Sequence, residues 1–121
     1  MSLTRIHMGR RGEEIAAAHL AKAGYRIIEH NYRCPFGEID IVAEEGETVV
    51  FVEVKCRSSE RYGDPQLAVG REKQKKMARI AMHYLSEKRL CSRPARFDVV
   101  AVKLLPGRVQ IELIRDAFEV S

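Results

Sequence analysis

The sequence predicts an α/β fold in which a central mixed sheet is flanked by helices and a further strand follows at the C-terminal end. Three observations predict it. Helix-forming and strand-forming stretches follow one another in the order αβββαββ along 121 residues. The run Thr48 to Val54 is apolar at almost every position, as expected of a strand covered on both faces. Met77, Ile80, Ala81, Tyr84 and Leu85 recur at helical spacing and make one apolar stripe.

The first element is a helix from about Gly9 to Ala23, built on Ala16, Ala17, Ala18, Leu20, Ala21 and Ala23 and stopped by Gly24. Residues 1–8 show no pattern. They are expected to be disordered or partly non-native, which leaves residues 9–116 as a single domain. Tyr25 to Arg33 reads as a strand, and Cys34-Pro35-Phe36-Gly37 as a turn. Glu38 to Ala43, the polar turn Glu44 to Glu47 and the run Thr48 to Cys56 make a hairpin. Ser58 to Gly63 is a loop. Asp64-Pro65 then resembles an N-cap with proline at the first helical position, opening a long helix to about Arg89 that Gly70 interrupts near its start. Phe97 to Leu105, the turn Pro106-Gly107 and Val109 to Ile114 complete the sheet.

Charged residues inside apolar strands carry the chemistry. Asp40 lies within Ile39-Asp40-Ile41-Val42, and Glu53 and Lys55 lie within Phe51-Val52-Glu53-Val54-Lys55. Strand alternation puts Glu53 and Lys55 on one face. A turn at Glu44 to Glu47 pairs Ala43 with Thr48 and sets Asp40 opposite Phe51. Asp40 then shares that face and is a diagonal neighbour of Glu53, with backbones about 7–8 Å apart. A register shift of one residue would separate them. Glu13, on the stripe of Ala16, Ala17 and Leu20, is expected at the edge of the buried face near the helix N-terminus, where the dipole favours an anion. Three acids against Lys55 leave a net charge of about −2, and two like charges about 4 Å apart cost about 4 kcal/mol at an effective dielectric near 20. A divalent cation balances that sum, and oxygen donors without clustered Cys or His select Mg²⁺ or Mn²⁺. The alternative is a solvated hairpin face with a Glu53–Lys55 salt bridge. Phe51 on the same face and the apolar opposite face argue against it, because unpaired charge is expensive in a central strand.

Composition bounds the partners. No apolar run approaches the roughly 20 residues of a membrane helix, so no membrane partner is expected. The N-terminus lacks the apolar segment of a secretory signal. Cys34, Cys56 and Cys91, odd in number and widely spaced, fit free thiols in a reducing cytoplasm. Residues 1–60 carry 8 Lys and Arg against 10 Asp and Glu, whereas residues 61–121 carry 13 against 7. A basic half beside an acidic one suits a polyanion-binding surface next to a carboxylate site.

At these residues the sequence resembles a known superfamily. Gly37-Glu38-Ile39-Asp40-Ile41-Val42 followed by Phe51-Val52-Glu53-Val54-Lys55-Cys56-Arg57 is similar to the bipartite PD-(D/E)xK signature of restriction-endonuclease-like nucleases. With Gly9-Arg10-Arg11-Gly12-Glu13, Asn31-Tyr32-Arg33, Lys73 and Arg96-Phe97-Asp98-Val99-Val100, the wider pattern over residues 9–104 resembles the small bacterial YraN-type family. That family is in turn similar to archaeal Holliday-junction resolvases, which act on branched DNA, usually as dimers. The resemblance implies a restriction-endonuclease-like αβββαβ core and a Mg²⁺-dependent endonuclease acting on DNA, including branched or flapped forms. Asp40 and Glu53 match its metal-binding acids, Lys55 its catalytic lysine, and Glu13 the helical acid of the resolvase-like branch. Gly37-Glu38 departs from the proline-and-hydrophobic lead of the signature, which leaves Glu38 as either a further acidic ligand or a turn cap.

On that reading the backbone carbonyl of Val54 joins Asp40 and Glu53 around the metal, and Lys55 orients the attacking water or stabilises developing charge. Arg71, Lys75 and Arg79 lie on the helix face opposite Met77 and Tyr84, as a solvated face or a phosphate-binding one. Lys73 lies beside the apolar stripe, where its head can reach the carboxylates. Arg10 and Arg11 at the helix start either grip a phosphate or form a free basic arm. Arg57 either reaches a bound strand or is solvated. His19 faces the core stripe as a packed residue. A chain this short needs a second copy, hence a homodimer, to cut two strands symmetrically. The competing readings are a non-catalytic nucleic-acid-binding module of nuclease descent, and an interaction protein whose basic helix binds an acidic partner.

Overall fold

A computed structural model describes residues 3–58 and 69–119, with side chains from Gly9 onward. The elements are α1 (Leu3–Lys22), β1 (Arg26–Cys34), β2 (Gly37–Glu45), β3 (Thr48–Arg57), α2 (Arg71–Glu87), β4 (Ala95–Leu105) and β5 (Arg108–Phe118). The strands lie side by side in the order β1-β2-β3-β4-β5. β3 and β4 run parallel, and the other neighbours are antiparallel. The result is a mixed five-stranded sheet with two helices and an added C-terminal strand, consistent with a restriction-endonuclease-like core.

Each helix covers one face of the sheet. Ala16 and Leu20 of α1 pack with Ile41, Ala43, Val50, Val52, Val100 and Val102. Met77, Ile80, Ala81 and Tyr84 of α2 pack with Val42, Val49, Phe51 and Val99 on the other face. Val49, Val50, Phe51 and Val52 are all fully buried, so β3 is the two-sided central strand its composition requires. Phe51 is a core residue packed edge-on to Tyr84, with ring centroids 5.7 Å apart.

Several boundaries differ from expectation, and one difference matters for the site. α1 begins at Leu3, six residues before Gly9. Once the alanine-rich half has nucleated, each further residue adds a hydrogen bond at little cost, so no apolar pattern is needed to extend the helix. Glu13, Arg10 and Arg11 therefore lie in the middle of α1 and not at its N-terminus. Neither dipole support for Glu13 nor a helix-start phosphate nest at Arg10 and Arg11 applies. α2 starts after Gly70, which is extended (φ −61°, ψ 155°) and so is the boundary itself. The Asp64-Pro65 cap and the loop from residue 59 to Gly63 lie outside the described residues. β5 runs past residue 116 to Phe118, whose ring stacks on Phe97 at 4.8 Å.

α1 reaches β3 through a glycine. A Cβ on Gly12 would sit 2.8 Å from both Cβ and Sγ of Cys56, closer than packed carbons approach. At Gly9 nothing lies within 4 Å of a Cβ. Gly9→Ala is expected to stabilise the protein by about 0.5–1 kcal/mol through helix propensity. Gly12→Ala is expected to destabilise it by about 1–2 kcal/mol, because overpacking outweighs that gain. Urea denaturation of the two variants should give opposite signs, and equal shifts would contradict the close approach.

Candidate active site

The ladder between β2 and β3 stops before the hairpin strands end. The pairs run from Glu45↔Thr48 to Ile41↔Val52. The turn is therefore Gly46-Glu47, with Gly46 at φ +61°, as a tight hairpin demands. The register differs by two residues from the one a four-residue turn implies. A shift of two keeps every side chain on its face, but it brings Asp40 level with Glu53 and not with Phe51. Beyond Ile41 and Val52 the strands part. The backbone N–H of Val54 donates to Asp40 Oδ2 at 2.8 Å, a bond that replaces the next ladder contact. A strand residue presents its N–H and C=O to the same edge, so the Val54 carbonyl faces the same opening.

Side-chain alternation in β2 breaks at Asp40. Ile39 and Val42 both face α2, whereas Ile41 faces α1. The partner position on β1 shows the cause. Asn31, between His30↔Ile41 and Tyr32↔Ile39, has φ +52°, a left-handed conformation that asparagine tolerates better than most residues. With its amide nitrogen turned to the acids, Asn31 donates to Glu13 Oε1 at 3.2 Å and to Glu38 Oε1 at 3.1 Å. Glu13 of α1 is thereby tied to the hairpin. Glu38 is exposed and also pairs with Arg33 Nε at 2.9 Å.

Burial is the main reason the Asp40 carboxyl is pushed up to about 8; the hydrogen bond and charge of Glu53 add to it, the Val54 N–H opposes it, and Glu13 adds a smaller repulsion. At neutral pH Asp40 thus keeps its proton, and its carboxyl meets the Glu53 side chain. Lys73, in the first turn of α2, reaches Glu53 Oε2 at 3.1 Å. Lys55 is half-buried on the Glu53 face, while Val54 between them packs toward α1. The charge count from sequence is accordingly revised. Lys73 and the proton that Asp40 keeps balance most of the three acids, so a divalent ion is one way to neutralise the cluster and not the sole way.

The remaining basic candidates are dispersed. Arg10, Arg11 and Arg57 are exposed, and Arg57 donates to the Cys56 carbonyl at 2.9 Å. Arg11 lines a groove of about 510 Å³ with Ser58 and the β4–β5 turn. Arg71, Lys75 and Arg79 are exposed on α2, and the last two line a separate groove. His19 is half-buried on α1.

One polar cluster draws its members from distant parts of the sequence. Asp98, fully buried on β4, accepts from Tyr25 Oη at 2.7 Å, Arg96 Nε at 3.0 Å and the Asp116 backbone N–H at 2.9 Å. Arg96 and Arg115 both bond Glu45. Every lone-pair direction of Asp98 is aimed at protein, so this cluster is a brace joining α1's end, β2, β4 and β5. A charge inside the apolar run Phe97 to Leu105 was the available signal.

Donor chemistry tests whether a metal suits the Asp40 and Glu53 pair. The donors are hard oxygens, and a cation there would replace the proton that Asp40 keeps. Among the described residues no three Asp, Glu, His or Cys side chains form a closed cage. Two carboxylates and a carbonyl are the partial set Mg²⁺ accepts while keeping its waters. The residues therefore fit Mg²⁺ or Mn²⁺.

No helix among the described residues is long and apolar enough to cross a membrane. The profile of the family described as "Uncharacterised protein family UPF0102" matches residues 12–102. A UPF0102 protein of Syntrophus aciditrophicus (strain SB) is 60% identical over 116 residues, covering 96% of this chain and 91% of its own length. One from Moorella thermoacetica is 52% identical over 120 residues, covering 98% and 100%. One from Geobacter metallireducens is 46% identical over 121 residues, covering 100% and 99%. The matched span holds Glu13, Asp40, Glu53, Lys55 and Lys73, and the chain belongs to the UPF0102 family.

Proposed function

We propose that this chain is a Mg²⁺- or Mn²⁺-dependent endonuclease that hydrolyses phosphodiester bonds in DNA, acting in the cytoplasm and as a homodimer where two strands are cut. The observation that carries the proposal is the meeting of Asp40 and Glu53 where β2 and β3 part, with the Val54 N–H on Asp40, Lys73 on Glu53 and Lys55 on the Glu53 face. Acids gathered at the end of a central strand cost stability, and here the Val54 N–H holds Asp40, Lys73 holds Glu53 and Asn31 holds Glu13.

Asp40, Glu53 and the Val54 carbonyl would hold the cation. When bound, such an ion supplies Lewis acidity to a phosphate oxygen and lowers the pKa of water. Lys55, on the Glu53 face, orients that water or stabilises negative charge developing at phosphorus. Lys73 fixes the Glu53 carboxylate. Glu13, anchored by Asn31, adds negative potential beside Asp40 and favours a cation there.

The test is incubation of the purified chain with Mg²⁺ or Mn²⁺ and duplex, flap, junction and RNA substrates. The expected result is DNA cleavage that EDTA stops. Binding of these substrates without cleavage of any would instead support a nucleic-acid-binding module of nuclease descent.

A further inference from the structure

We propose that the groove between the β1–β2 turn and the outer face of α2 grips an unpaired stretch of DNA, with a base stacked on Phe36 and phosphates met by Lys75 and Arg79. The groove encloses about 720 Å³ and is lined by Phe36, Lys75, Arg79, Met82 and His83 among others, with cations and, among the described residues, no carboxylate in its lining. Phe36 is 45% exposed and Met82 68% exposed, an unusual outlay of apolar surface for two neighbouring side chains. Phe36 is held in place by a near-perpendicular contact with His83, with centroids 5.8 Å apart.

Charge identifies the occupant as an anion. Arg71, Lys73, Lys75 and Lys76 crowd the first turns of α2, where the helix dipole disfavours cations. Only Glu72 among the acids stands there. Such placement opposes helix stability and suits a polyanion. The aromatic ring narrows the class further. A duplex keeps its base faces stacked on one another, whereas an unpaired strand offers them to a sequence-tolerant platform of an aromatic ring flanked by cations.

The groove also has a fixed relation to the acids, and this part rests on the proposed nuclease reading. Phe36 lies four positions before Asp40 along the turn and β2, about 13 Å at strand rise, or about four stacked nucleotides. Lys76 covers the path between. Its Cε would lie 2.6 Å from a Cβ on Gly37, a position open only because Gly37 (φ +139°) has none. An unpaired strand held by Phe36 would thus pass a cation before reaching Asp40 and Glu53.

The test is fluorescence anisotropy with labelled oligo-dT and with a blunt duplex of equal length, in EDTA so that nothing is cut. Phe36→Ala is expected to weaken oligo-dT binding at least about fivefold, the lower end of the worth of one base–aromatic stack, and to leave duplex binding nearly unchanged. Phe36→Trp is expected to restore it. Lys75→Glu with Arg79→Glu should weaken oligo-dT binding and flatten its salt dependence. No oligo-dT binding by the wild type, wild-type affinity in Phe36→Ala, or equal losses for both oligonucleotides would overturn the proposal. If the variants behave as expected but no DNA is cut with Mg²⁺ or Mn²⁺, the groove stands and the nuclease reading fails. If DNA is cut and Phe36→Ala binds normally, the reverse holds.

Discussion

Asp40→Asn and Glu53→Gln are each expected to lower metal-dependent DNA cleavage by about 1,000-fold or more, some 4 kcal/mol of lost transition-state stabilisation, without unfolding the protein. Asn at position 40 keeps an oxygen for the Val54 N–H, so β2 and β3 should part as before. It removes a carboxyl that must take up a proton on folding at neutral pH, and the metal-free variant should melt at a higher temperature than the wild type. Gln at position 53 loses the ion pair with Lys73, a partly exposed contact whose removal costs little. Loss of activity with retained or raised stability separates a catalytic role from a structural one. Single-turnover cleavage beside thermal melts measures both, and wild-type rates in either variant would remove that residue from the mechanism.

Lys55→Met is expected to lower cleavage by about 100–1,000-fold, the usual worth of one preorganised charge-stabilising group. It keeps most of the side chain's volume and leaves Asp40, Glu53 and Val54 in place. Metal binding should therefore survive, unlike in Asp40→Asn. Stabilisation of the protein by Mn²⁺ should be nearly that of the wild type. If Lys55→Met cleaves normally, charge stabilisation belongs to another group, and Lys73, 3.1 Å from Glu53 Oε2, is the next candidate.

Much of this site was legible because strands tolerate charge poorly. Asp40, Glu53 and Lys55 stand out within Ile39–Val42 and Phe51–Lys55, and Lys73 stands beside the stripe of Met77 and Ile80. The acids' shared location survived an error in register only because the error was even. Glu44-Glu45-Gly46-Glu47 reads as four polar turn residues, yet one positive-φ glycine lets two residues suffice. Three features were out of reach. The left-handed backbone of Asn31 depends on β1 crossing Asp40, and nothing in Asn31-Tyr32-Arg33 fixes it. Asp98 finds Tyr25 across 73 positions of sequence, a pairing set by the topology. The start of α1 was misplaced because helix propagation leaves no apolar trace, and the roles given to Glu13, Arg10 and Arg11 by the helix end fell with it.

The proton on Asp40 has a thermodynamic sign. The folded chain holds Asp40's proton up to about pH 8, whereas the unfolded chain releases it near pH 4. The folded state thus binds more protons in between, and metal-free stability should fall as pH rises across that window. The ion pairs of Glu44 and Glu45, whose carboxyls are held below the usual range chiefly by hydrogen bonds from Arg26 and Arg115, act in the opposite sense. Their contribution is lost only as the medium becomes more acidic than about pH 4. Asp40→Asn should flatten the neutral slope and leave the acid limb.

Calorimetric titration of Mn²⁺ into the protein at pH 7, repeated in buffers of different ionisation enthalpy, counts the protons displaced by each ion. Close to one proton per ion is expected for the wild type, whereas Asp40→Asn is expected to bind Mn²⁺ far more weakly and to release no proton. Tight binding with no proton released, or the same release in both proteins, would mean that the ion does not take the place held between Asp40 and Glu53.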